Sequence, residues 1–133
     1  MPAVARALTH LVNMLEQYRQ ALLYLEMGLP GDAARLLAPI VTAEPANAEA
    51  RLQLALAYYA SAQLNRAQAE LRVLVERDPT DHYSHHLLGR TLERLNRPTE
   101  ALPHLRLAAA MAQVPEYGTA VDRVSSHLGR ARP

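Results

Sequence analysis

The chain of 133 residues contains no cysteine, no tryptophan, no phenylalanine and no lysine. Without cysteine it has no disulfides, no thiolate nucleophile and no cysteine-based zinc site, which fits a reducing compartment. Aromatic residues are 5% of the chain and all are tyrosine, while 24 Ala and 23 Leu stand against nine Val plus Ile. That balance favours helix and argues against a sandwich or barrel. Charge of one sign is also missing: 14 Arg against 13 acidic residues leave a net +1. No single-signed field exists to drive nonspecific binding to nucleic acid or a membrane surface. No apolar run approaches the roughly 20 residues of a membrane span, and the first residues lack a basic segment followed by a hydrophobic core and cleavage site. A soluble, cytoplasmic chain with neither nucleic acid nor membrane as partner is expected. Arginine as the sole basic side chain fits the codon usage of a GC-rich bacterial genome.

What is present is a repeat of 34 residues. Pro45 and Pro79 are one period apart, as are Asn13, Asn47 and Asp81; Tyr24, Tyr58 and Leu92; Ala33, Ala67 and Ala101; and Leu37, Leu71 and Leu105. Small residues recur at Ala21, Ala55 and Gly89. Several columns in register, each of one chemical type, mark stacked units that cannot bury their apolar faces alone. Each unit reads as two antiparallel helices. The small residues permit close approach, the Tyr/Leu and Leu columns fill the space between, and proline ends the second helix two residues before an Asn or Asp suited to cap the next. Turn chemistry is clear at residues 28–32 and 96–98; the turn at 62–65 follows from register alone. Pro39 and Pro103 fall inside second helices and predict local kinks.

The spacing and these columns resemble the tetratricopeptide repeat family. The resemblance implies an all-α fold, an α-solenoid of three helix-turn-helix units at 14–47, 48–81 and 82–115 in a single domain. A terminal capping helix follows at 116–130, and residues 1–13 form an N-terminal helical extension. Three departures stand out. The large aromatic usual near the start of the first helix is Gln17, Arg51 and His85; the third unit carries Gln113 in place of the closing proline; and Pro115 follows late. In the capping helix Tyr117, Ala120, Val121, Val124 and Leu128 share one face, while Asp122, Arg123 and Ser126 occupy positions where another repeat would need packing residues.

Residues 3–27 admit two readings. Val4, Leu8, Leu11 and Val12 continue the stripe of Leu15, Tyr18, Leu22 and Leu25, as one long helix would; Asn13, in the capping column, favours a break. An unbroken helix of 25 residues would span about 37 Å and leave part of its apolar stripe uncovered.

No catalytic motif is present: no phosphate-binding glycine loop, no Gly-x-Ser-x-Gly, no His-Glu-x-x-His, and four serines without patterned His and Asp companions. The chain reads as a non-enzyme without cofactor. His82 and His86, one helical turn apart, have a spacing that can hold Zn or Ni. His85 in the packing column, His86 lining the groove and Asp81 as a cap explain the cluster better, so no metal is assigned.

The resemblance implies a concave groove lined by the first helices, here by Tyr18, Leu22, Leu52, Leu56, Tyr59, Tyr83, His86, Arg90 and Arg94. Members that grip a peptide's terminal carboxylates do so with Lys, Asn, Asn, Lys and Arg. Those positions here are Tyr18, Leu22, Gln53, Tyr83 and Leu87, so the clamp is missing. A groove of Leu and Tyr suits an amphipathic helix or extended apolar segment of a partner protein. His86, Arg90 and Arg94 could meet an acidic group at its far end, unless Glu93 and solvent balance them. The leading expectation is an interaction scaffold. The alternative is a self-associating, homo-oligomeric structural or chaperone-like protein, with Val4, Leu8, Leu11, Val12 and Leu15 as the contact. A small chaperone for secreted proteins shares the layout, although such chaperones tend to be longer and acidic, and a regulatory subunit is equally open.

Overall fold

The computed structural model describes residues 1–131, and among them every regular element is helical. The helices are α1 (Pro2–Glu26), α2 (Pro30–Ala43), α3 (Ala48–Ala60), α4 (Leu64–Arg77), α5 (His82–Arg94), α6 (Pro98–Met111) and α7 (Pro115–Ala131). The fold class is the one the repeat predicts. Asn13 does not break the first helix: α1 is continuous over 25 residues. Asn47 and Asp81 follow a helix-ending proline by two residues, whereas the corresponding position before Asn13 is Leu11, which lets the helix run on. Helices α2 and α6 likewise continue through Pro39 and Pro103.

The helix ends follow from local chemistry. Proline opens α2 and α6, where its missing N–H costs nothing. The Asn47 side chain accepts from the Ala50 N–H at 3.0 Å, and Asp81 Oδ1 accepts from the Ser84 N–H at 3.1 Å. Each hairpin turn carries one residue in the left-handed region, at the same place in the period: Gly28 (φ 74°), Ala62 (φ 60°) and Asn96 (φ 60°). Gly and Asn adopt it readily. Ala62 does so at a cost of about 1–2 kcal/mol, which is why this turn has no composition signal. The column normally aromatic is also explained. Arg51 Nη2 donates to the Pro45 carbonyl at 3.1 Å, and His85 Nε2 to the Pro79 carbonyl at 2.9 Å. Both buried side chains tie a helix back to the loop that precedes it.

The chain forms two compact units that meet in sequence at Ala62 and Gln63. In the first, α2 packs against both α1 and α3. Ala21, Ala33, Leu37, Ile40, Ala50 and Leu54 form its centre, with Tyr18, Tyr24 and Leu25 laid against them. In the second, α5 packs on α4, α6 and α7. Leu71, Leu88, Leu92, Leu105, Tyr117 and Val124 are buried there, and a fully buried Leu contributes about 1.5–3 kcal/mol. Gly89 marks the tightest crossing. A Cβ at this position would lie 2.5 Å from Leu105 Cδ2 and 2.6 Å from Leu105 Cγ, so α5 and α6 meet at a distance only glycine permits.

Candidate functional site

In the first unit, α1 and α3 present a face of half-buried Leu and Tyr. Tyr18 and Leu22 are one turn apart on α1, and Leu52, Leu56 and Tyr59 follow one another along α3; all five are partly exposed. The two helices are in contact. Burial raises the Tyr18 phenol above its ordinary value of 10.0, and the Glu49 carboxylate on α3 pushes it further the same way. Glu49 also accepts a hydrogen bond from Gln53 Nε2 at 2.9 Å. The face is therefore apolar with a few polar handles along one edge.

Toward its N-terminus α1 leaves the unit's core. Val4, Leu8, Leu11, Val12 and Leu15 are 47–59% exposed and form an uncovered stripe.

In the second unit the four expected residues separate. Tyr83 is 39% exposed and Arg94 is exposed on α5. His86, expected on an open face, is buried under α7, its ring stacked on Tyr117 with centroids 4.5 Å apart. Tyr117 is held from a second side, because its hydroxyl lies 2.9 Å from His82 Nδ1. Arg90 is 3.5 Å from Glu93, whose carboxylate also accepts two hydrogen bonds from Arg123 on α7, at 2.6 and 2.7 Å. Those Arg123 bonds hold the Glu93 carboxyl below the usual carboxylate range. Burial lowers the His86 imidazole, and the positive charges of Arg90 and Arg123 lower it further. This half of α5 is engaged by the chain's own terminal helix instead of presenting three cations to a ligand.

The same geometry answers for the histidine pair. His82 Nδ1 is committed to the Tyr117 hydroxyl and His86 lies flat against the Tyr117 ring, so the two imidazoles address the tyrosine. Among the described residues no group of three or more His, Asp or Glu is placed to hold a metal ion. A cleft of about 260 Å³ lies nearby, lined by Glu93, Asn96, Pro98, Arg123, Val124, His127 and Arg130. No described helix is long and apolar enough to cross a membrane.

Two arrangements escaped the sequence reading. His85 Nδ1 lies 3.1 Å from His104 Nδ1, with the rings stacked. Because the Pro79 carbonyl can only accept, His85 donates to it through Nε2, and its Nδ1, when His85 is neutral, accepts from His104. The pairing of α5 with α6 could have been inferred from the repeat, but not which side chains meet across it. The second is the contact of Tyr117 with His82 and His86. Tyr117 was legible as an apolar-face residue, yet nothing in its spacing shows that its hydroxyl returns to α5.

The family model of the tetratricopeptide repeat matches residues 24–91, just over half of the chain. Solved structures share its fold at low identity. MamA superposes with a TM-score of 0.81 at 17% identity, over 88% of this chain and 69% of its own. The first TPR of Spaghetti (RPAP3), bound to the HSP90 peptide SRMEEVD, gives 0.80 at 16% identity, over 87% of this chain and 93% of its own. The Yersinia enterocolitica type III secretion translocator chaperone SycD gives 0.72 at 21% identity, over 88% of this chain and 81% of its own. No curated protein matches the chain in sequence.

Proposed function

As the chain belongs to the tetratricopeptide repeat family, we propose that it is a non-enzymatic interaction scaffold that holds an amphipathic helix or extended apolar segment of a partner protein against the first helices of its repeats. In this reading residues 14–47, 48–81 and 82–115 are the repeats and 116–130 the cap. The observation that carries it is the α1/α3 face. Tyr18, Leu22, Leu52, Leu56 and Tyr59 are all half-buried, with Tyr18 laid against the unit's core, and they leave apolar area with hydroxyl handles.

The ligand class is narrowed by what the face lacks. The solved Spaghetti domain holds a peptide that ends in two glutamates, a valine and an aspartate. At the positions where the family's carboxylate clamp falls, this chain has Tyr18, Leu22, Gln53, Tyr83 and Leu87, and none supplies a cation. In the second unit Glu93 lies beside Arg90 and Arg123 and offsets their charge. An apolar segment is the better fit.

The immobilised chain should capture its partner from a lysate of its source. Leu56→Arg or Tyr59→Ala should abolish that capture while leaving the melting temperature nearly unchanged. Capture that persists in both variants contradicts the proposal.

A further inference from the structure

We propose that the N-terminal half of α1 is a contact surface for a second copy of this chain, the two helices running antiparallel about a seam of Val4, Leu8, Leu11 and Leu15. This surface continues the stripe of α1 that reaches Tyr18 and Leu22 but shares no residue with the α1/α3 face, and it does not depend on what that face holds.

Among the described residues twelve large apolar side chains are exposed, and six of them are Met1, Val4, Leu8, Leu11, Val12 and Leu15. Five of these follow steps of three and four along the helix, the spacing of a two-helix seam. At about 100° per residue Arg6 points directly away from that seam, and His10 and Glu16 lie on its far flanks, so no charge interrupts it. Together the six side chains expose on the order of 600–700 Å², at or above the largest patch of a typical monomer. That is most of the roughly 800 Å² per partner that a stable interface buries.

The seam is complementary to itself in one orientation. Antiparallel pairing sets Leu8 against Leu11 and Val4 against Leu15 of the other copy. At one flank it sets Ala5 near Val12, small against large. A parallel pair would set alanine against alanine and leave gaps. It would also bring together the two C-terminal halves of α1, where Tyr18 and Leu22 belong to the α1/α3 face. In the antiparallel pair the overlap ends near Leu15, short of the α1/α3 face at Tyr18 and Leu22.

Sedimentation equilibrium on the whole chain tests the proposal. Wild type should be a dimer, and Leu8→Glu with Leu11→Glu should raise the dissociation constant by more than about a hundredfold, without changing the helical content or melting of the dilute protein. Because the chain has no cysteine, orientation can be read directly. A mixture of Ala5→Cys and Val12→Cys chains should form a mixed disulfide on mild oxidation, and Ala5→Cys alone should not. A wild-type monomer at every concentration overturns the proposal, whether or not it then adheres to phosphatidylserine vesicles. So does a dimer indifferent to the double substitution. Crosslinking of Ala5→Cys alone, at the rate of the mixture, overturns the antiparallel arrangement.

Discussion

Helices α1 and α5 derive from the same column of the repeat and have opposite fates. Across its 25 residues α1 has one buried side chain, Ala21. Across 13 residues α5 has seven, among them Ser84, His85, His86 and Thr91, besides the buried Gly89. The difference lies in their neighbours. In its unit α5 is packed by α4, α6 and α7, whereas α1 is packed by α2 and more lightly by α3, and neither covers the apolar stripe of its first four turns. An element enclosed on several sides supplies stability. One enclosed only along its second half keeps apolar area that its own fold does not use, which is a property of an interaction surface.

The contrast is most sharply broken by truncating one leucine on each helix. Leu88→Ala, at a fully buried position of α5, should cost about 2–5 kcal/mol in urea denaturation. Leu11→Ala, at an exposed position of α1, should stay within about 0.5 kcal/mol when measured on dilute protein. Equal losses would mean that the N-terminal half of α1 is structural after all.

A smaller effect separates the two helices by pH. The His86 imidazole on α5 is lowered from its ordinary 6.5, chiefly by burial and then by Arg90 and Arg123, against which Glu116 and Glu93 act in the opposite sense. The unfolded chain therefore binds a proton more readily than the folded one. Stability from this source is complete above about pH 6.5 and is lost as pH falls from there toward the depressed folded value. His104, lowered by burial, His85 and Arg72 with Glu100 opposing, adds a loss of the same sign. Melting temperature should fall as pH is taken from 7 to 5. His86→Phe, which keeps a ring against Tyr117 and removes an Nδ1 that has no hydrogen-bond partner, should flatten the decline. An unchanged slope in the variant would mean that His86 is solvated.

How much of this was legible depended on whether a feature repeats. The columns of Ala33, Leu37 and Gly89 sit where the 34-residue period puts them, and Asn47 and Asp81 cap the helices they precede. Asn13 shows the limit of the period: the same residue in the same column leaves the helix intact because no proline stops the chain before it. Ala62 adopts the backbone of Gly28 and Asn96 without their chemistry, so only register located that turn. Of the candidate face, the Leu and Tyr positions on α1 and α3 could be named from spacing. The covering of His86 could not, because it depends on Tyr117 at the far end of the unit, a single contact that no periodicity encodes.

Native-state hydrogen exchange on dilute, monomeric protein tests the comparison most directly. Amides in the middle of α5 should exchange only through global unfolding, while those of residues 2–15 should exchange orders of magnitude faster through local opening of an unsupported helix. Protection of residues 2–15 equal to that of α5 would contradict the account, because it would mean that this half of α1 is already held by the chain's own fold.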